Sequence, residues 1–299
     1  MQVFLSNVKR NTKLFFKDKG LFFTSLITPL ILLVLYATFL SNVYRSSFEQ
    51  VFKEVGAVVS DKQLSGLVGG QLMSSLLAVS CVTVSFCSNM LMVQDKISGA
   101  YNDLMITPLK RSTLALSYYI STTISTLIIC LIALIACLAY VSVIGWYLTV
   151  TDILFLLLDI FLVSTFGTAL SSVINYFLSS QGQISAVGSI VSSCYGFICG
   201  AYMPLATFGP ALRNTVMFLP GTYGTALIRN HSLNGIMGEL SKTLPPQAIE
   251  ELKNSIDCNI YFFGTKVDIS VMYLVVCISI VAIITAYVLI NKFCKRTKN

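Results

Sequence analysis

Residues 114–146 read LALSYYISTTISTLIICLIALIACLAYVSVIGW, and no Asp, Glu, Lys or Arg interrupts them. A bilayer core about 30 Å thick asks for about 20 consecutive apolar residues in a helix. This run exceeds that length, and it is one of several. Apolar runs near Leu21–Leu40, Leu67–Val93, Leu114–Trp146, Ile153–Leu178, Ile184–Met203 and Ile269–Ile290 predict six spans. They are far longer than the roughly 10-residue alternating strands of a membrane barrel. Backbone groups must pair within the segment in lipid. The expectation is therefore an all-α polytopic membrane protein.

Composition agrees. Of 299 residues, 55% are hydrophobic and only 11% charged, with mean hydropathy +0.79. A soluble domain usually carries about 25% charged residues. The net charge of +7 is concentrated at the ends: Lys9, Arg10, Lys13, Lys17 and Lys19 precede the first run, and Lys292, Lys295, Arg296 and Lys298 follow the last. Such placement addresses lipid headgroups and orientation, and it leaves no basic soluble domain for nucleic acid. With both termini cytoplasmic, the inner segments hold 12 Lys/Arg and three acids (Asp18, Asp95, Asp103), and the outer ones 8 Lys/Arg and nine acids. The short loops favour this orientation. The start lacks a small-residue cleavage pattern and is not expected to be a cleaved signal.

Residues 1–20 read as an amphipathic interfacial helix. Phe4, Leu5, Val8, Thr12, Phe15 and Phe16 share one arc, opposite Lys9, Arg10, Lys13 and Lys17. A solvated basic tail is the alternative. Residues 21–203 hold spans one to five. Residues 204–268 form an external segment, and 269–291 the sixth span. Pro210, Pro220, Gly221 and Gly224 interrupt the apolar stretch 208–228, so re-entrant or interfacial helices are expected there.

Catalytic signatures are missing. The chain has no G-x-x-x-x-G-K-[ST] loop, no H-E-x-x-H, no G-x-S-x-G and no paired carboxylates at useful spacing. No metal site is expected. His231, the single histidine, is expected at the surface. The nine cysteines include no C-x-x-C pair; most sit in apolar runs as small hydrophobes, and Cys258 alone falls in a long polar loop. Asp159 lies about seven residues into the fourth run, roughly 10 Å deep at 1.5 Å per residue. A carboxylate there is either a polar point on a pathway or a proton carrier, or a locally hydrogen-bonded residue. In the fifth run Ser185, Ser189, Ser193, Gly196 and Gly200 recur at close to four-residue spacing. Small faces of this kind let helices approach, within the chain or between chains.

Residues 94–116 read QDKISGAYNDLMITPLKRSTLAL. Ile97, Tyr101, Leu104 and Met105 share one helical face; Asp95, Ser98, Asn102 and Asp103 lie mostly on the other. A short helix over 94–107, closed by Thr107-Pro108 and followed by Lys110-Arg111, resembles the coupling helix of type-2 ATP-binding-cassette permeases. The family pattern is close to E-R-E-x-G-T-x-E-x-L-x-x-T-P. Gly99, Leu104, Thr107 and Pro108 match it, Asp95 and Lys96 match in charge, and Ile97, Ala100 and Asn102 depart from it. Gly200-Ala-Tyr-Met-Pro204-Leu205, Pro210, Pro220-Gly-Thr-Tyr223 and Arg229 are similar to the family's external re-entrant segment.

The resemblance implies two permease chains, alike or related, working with two copies of a separate ATPase that binds ATP and Mg. Asp95, Lys96, Ser98, Gly99, Asn102, Asp103, Thr107 and Pro108 would couple to that ATPase. Asp159, Ser189, Ser192, Gly196 and Gly200 are the translocation-path candidates. Pro204, Pro220, Tyr223 and Arg229 would shape the re-entrant segment. The expected substrate is a drug, toxin, peptide or lipid-like molecule exported from the cell. The expected location is the bacterial cytoplasmic membrane. A polysaccharide or lipid-linked glycan exporter, a non-transporting sensor or scaffold, and a proton-coupled carrier are the alternatives.

Overall fold

A computed structural model describes residues 2–54, 59–106 and 110–293. It contains α1 (Gln2–Lys17), α2 (Lys19–Leu35), α3 (Ser41–Glu54), α4 (Asp61–Ser88), α5 (Met90–Ser98), α6 (Ala100–Ile106), α7 (Arg111–Ile144), α8 (Val150–Phe177), α9 (Gln181–Ile198), α10 (Pro210–Val216), α11 (Pro220–Leu240), α12 (Pro246–Ser255) and α13 (Ile269–Phe293). A two-stranded antiparallel hairpin, β1 (Ile260–Phe262) and β2 (Thr265–Val267), precedes α13.

Caps place several helix starts. Ser60 and Gln63 form a reciprocal capping box at α4, Thr149 and Asp152 at α8, and Ser180 and Gln183 at α9. Each side chain satisfies an N–H that the first turn leaves free. The first apolar run does not end its helix at Leu40. A π-helical stretch over Tyr36–Leu40 carries α2 into α3 without a break. Among the described residues, five helical stretches are long and apolar enough to cross a membrane: Lys19–Lys53, Asp61–Ser98, Arg111–Ile144, Val150–Phe177 and Ile269–Phe293. The predicted fifth run is a shorter helix, since α9 stops at Ile198 and Gly200 takes a left-handed backbone, φ 72°. Two glutamines and several serines dilute its apolar character.

α4 is the centre of the bundle. It packs against α2, α7, α8, α9 and α11, and 23 of its 28 residues are buried. Its surface is ringed with Gly, Ser, Ala and Cys rather than striped, which suits a helix with neighbours on every side. Close approach is visible at Gly167 on α8. A Cβ there would stand 3.0 Å from the Cα of Val82 and 3.1 Å from the carbonyl of Cys81.

The N-terminal helix rests against α7 on part of the expected arc, shifted toward Asn7 and Asn11. Asn7, Val8, Asn11 and Phe15 are buried, while Leu5 is exposed. Asparagines enter the inner face because protein covers it rather than lipid. Asn11 Oδ1 accepts a hydrogen bond from Arg10 at 2.8 Å.

Candidate functional site

The segment expected as one coupling helix is two. α5 continues the line of α4 after a break at Asn89, and Gly99 ends it with φ 86°. That left-handed cap costs a residue with a Cβ roughly 1–2 kcal/mol and glycine almost nothing. Gly99 therefore serves the turn, and within this chain a Cβ there would meet nothing within 4 Å. The turn also breaks the expected apolar arc. Tyr101, Leu104 and Met105 pack beside Leu114, Tyr118 and Tyr287, while Ile97 is left exposed. Thr107 and Pro108 lie outside the described residues.

Polar side chains hold the break at Asn89. Its Nδ2 donates to Ser171 Oγ and Ser172 Oγ on α8, both at 3.0 Å, and its carbonyl accepts from Asn175 Nδ2 at 3.2 Å.

Asp95 and Lys96 turn inward. Arg10 Nη1 donates to Asp95 Oδ2 at 2.8 Å, and the Tyr118 hydroxyl donates to the same oxygen at 2.5 Å. The hydrogen bond to Asp95 holds the proton on Arg10 more firmly, against the opposing effect of burial. Lys96 Nζ donates to the carbonyls of Asn175 at 2.8 Å and Tyr176 at 2.9 Å, with Leu178 at 3.4 Å. A cation there complements the negative end of the α8 dipole. Ser98, Asn102 and Asp103 remain exposed, flanked by Ile97 and the 85% exposed Ile106.

Toward the other end of α8, Asp159 is fully buried and has partners. His231 Nδ1 lies 2.6 Å from Asp159 Oδ2, and the Tyr273 hydroxyl donates to Oδ1 at 2.7 Å. His231 is not a surface residue: its side chain is 12% exposed and its ring stacks on Phe155 at 4.8 Å. A carboxylate at Nδ1 orients the imidazole and leaves Nε2 free to act. Nearer the start of α8, Asn234 Nδ2 donates to Asp152 Oδ1 at 2.7 Å. Asp159 thus joins α8, α11 and α13. Sequence reasoning missed this because residues 159, 231 and 273 are far apart in the chain. The available signal was Asp159 in an apolar run, whereas His231 stands among Arg229, Asn230, Ser232 and Asn234 and so read as a surface residue.

Ser189 and Ser192 are elsewhere, on the outward face of α9. Gly196 is buried under Tyr202, and the Gly200 carbonyl accepts from Arg229 Nη2 at 2.7 Å. The structure therefore splits the translocation candidates between two places.

The re-entrant candidates lie along the segment from the end of α9 into α11. Pro204 leads into a turn over Leu205–Thr207, and Pro220 occupies the first turn of α11, where its missing N–H costs nothing. The Tyr223 hydroxyl donates to the Met217 carbonyl at 2.8 Å. Arg229, buried, stands 3.6 Å from Asp257, which also accepts from the Leu205 N–H at 2.7 Å. Burial pushes the Asp257 carboxyl above its ordinary range despite Arg229. The Cys258 thiol next to it is pushed up to about 12 by burial, which leaves it unreactive.

An all-α bundle with several long apolar helices and a polar, two-part helical elbow at one end defines a multi-pass membrane protein of transporter type. The family model described as ABC-2 type transporter matches residues 2–231. The chain belongs to that family, whose members are transmembrane components and normally partner with an ATPase subunit. No curated protein and no solved structure matches it.

Proposed function

We propose that the chain is the permease subunit of an exporter driven by a separate pair of ATPase subunits. The observation that carries this reading is the exposed elbow at α5–α6, joined through Asn89 to the central helix of a chain in the ABC-2 family. In this reading α9 is the fifth of six spans, both termini are cytoplasmic, and α10–α11 form a re-entrant hairpin on the outer side. The membrane is the bacterial cytoplasmic membrane.

Ser98, Gly99, Asn102 and Asp103 present the docking face, and Thr107 and Pro108 follow them in the sequence. Ile97 and Ile106 supply its apolar part. Asp95 and Lys96 act as positioning residues, clamping α5 to α1, α7 and α8. A push on α6 then reaches α4, which touches most of the bundle. ATP and Mg belong to the partner, and this chain carries out no bond chemistry. The serine face of α9 is the surface for a second permease chain, because exposed serines gain little from lipid.

The substrate is a hydrophobic or amphipathic molecule. Support comes from unpaired polar atoms inside the bundle. Tyr36 Oη, Tyr195 Oη, Arg229 Nε and Ser232 Oγ are buried without a hydrogen-bond partner among the described residues. Such groups are costly inside a membrane protein and mark functional positions. The test is biochemical. Reconstituted alone, the chain is expected to hydrolyse no ATP. An Asn102→Cys variant should crosslink, in native membranes, to a polypeptide that photolabels with an ATP analogue. ATP turnover by the isolated chain, or crosslinks only to polypeptides that bind no nucleotide, would overturn the reading.

A further inference from the structure

Between α10 and the β1–β2 hairpin lies an open cavity of about 680 Å³. Phe208, Arg213, Asn214, Tyr261, Phe263 and Gly264 are among the residues that line it. That volume lies in the range of about 300–1,000 Å³ typical of small-molecule sites. The hairpin turn shapes one wall: Phe263 has φ 46° and Gly264 φ 87°.

Two polar side chains of this cavity are uncommitted. The side chains of Arg213 and Asn214 are half-buried, and neither makes a hydrogen bond or ion pair to a described residue. Asp257 feels the charge of Arg213, yet its carboxylate is already held by Arg229 and the Leu205 N–H. Two guanidiniums thus share one carboxylate, and Arg213 is the one left over. Tyr261 spends its hydroxyl hydrogen on Asn254 Oδ1 at 3.0 Å and keeps its ring for the cavity.

The rim is apolar. Phe263 is 63% exposed and packs edge-on to Phe262 at 4.9 Å and to Phe218 at 6.0 Å. Leu212 and Phe218 are also exposed. An unpaired guanidinium and amide beside an aromatic wall recognise one chemistry, a carboxylate or phosphate carried on an apolar body.

We propose that this cavity binds an anionic amphipath, its carboxylate or phosphate on Arg213 and Asn214 and its apolar part against Phe208, Tyr261 and Phe263. Placing the site on the outer face rests on the orientation given above; the binding itself does not. The ligand comes either from anionic lipid of the outer leaflet or from a mobile amphipath, and the head-group chemistry is the same for both.

The test uses the full chain purified in a neutral maltoside detergent, with dodecyl phosphate as the probe and calorimetry as the readout. Dodecyl phosphate is expected to bind saturably. Dodecanol and inorganic phosphate should each bind at least about tenfold more weakly, since each lacks half of the recognised chemistry. Arg213→Gln should weaken dodecyl phosphate about tenfold or more, the loss of a charge-assisted pair. Asn214→Ala and Phe263→Ala, both at partly or fully exposed positions, should weaken it less and keep the elution profile of the wild type. Unchanged affinity in Arg213→Gln, or equal binding of dodecanol, would overturn the proposal.

Nanodiscs separate the two sources by amide hydrogen exchange over residues 206–214 and 261–264. Slower exchange when phosphatidylglycerol is added to phosphatidylcholine assigns the site to lipid. Slowing only when dodecyl phosphate is added assigns it to a mobile amphipath. No slowing in either case contradicts the proposal. Loss of the ATPase partnership alone would leave this site standing.

Discussion

Asp95 and Asp159 are both buried carboxylates in the same helical bundle, and they are held in different ways. Asp95 pairs with Arg10, a cation at any physiological pH, and with the Tyr118 hydroxyl. Asp159 pairs with His231 and the Tyr273 hydroxyl. The first contact fastens the amphipathic α1 to the elbow. The second ties α11 and α13 to α8 through an imidazole and a phenol hydroxyl. The comparison teaches that one carboxylate fastens a half-exposed outer helix, while the other fastens three helices of the bundle to one another.

A third carboxylate gives the strongest way to break this comparison. Arg229 is buried against Asp257, whereas Arg10 is about one-third exposed. Arg229→Ala should cost about 3–5 kcal/mol, as expected when one partner of a buried pair is removed. Arg10→Ala should cost about 1 kcal/mol, since solvent screens that pair. Denaturant unfolding in detergent checks both, and equal losses would erase the distinction.

The pH dependence has a definite sign. Burial already raises the Asp257 carboxyl, so charging it costs stability in the folded state. That contribution is fully present below the ordinary aspartate value, about 3.9, and is lost as pH rises through the raised one. Without Arg229 the carboxyl takes up its proton more readily. The Arg229→Ala loss should therefore shrink at mildly acidic pH and be largest in alkali. A loss that grows on acidification would refute this.

Smaller effects sharpen the contrast. Gly99→Ala should strain the elbow by about 1–2 kcal/mol, read as weaker co-purification with the ATPase, while Gly99→Asn is better tolerated. Membrane insertion should be unchanged in both. Asp159→Asn should impair export with expression intact. A double-mutant cycle between Asp159→Ala and His231→Ala should give a coupling of about 0.6–1.7 kcal/mol, the range for polar pairs between membrane helices. Zero coupling would show that this contact contributes nothing to holding α8 and α11 together.

Much of the architecture was legible in the sequence because lipid imposes one length and one polarity. Runs such as 114–146 could be little else. Burial was not legible. The most apolar stretch of Asp61–Ser98 is 89% buried and that of α13 only 17%, although both read as apolar runs. The small residues around α4 were the available clue. The helical segment over 94–106 stood out through its motif, but its break did not, because glycine in a short amphipathic stretch does not announce a left-handed turn. The contacts of His231 with Asp159 and of Arg229 with Asp257 join residues distant in sequence, and no local pattern encodes them. Asn7 and Asn11 on the inner face of α1 escaped for a similar reason, since that face meets α7 and not lipid.

The claim beneath all of this is that the elbow and the external segment lie on opposite sides of the membrane. Single-cysteine variants at two exposed positions test it, Asp103→Cys in α6 and Glu251→Cys in α12, with labelling by an impermeant thiol reagent read above the wild-type background. In intact cells Glu251→Cys should label and Asp103→Cys should not, and permeabilised cells should label both. Labelling of Asp103→Cys from outside intact cells would contradict the account.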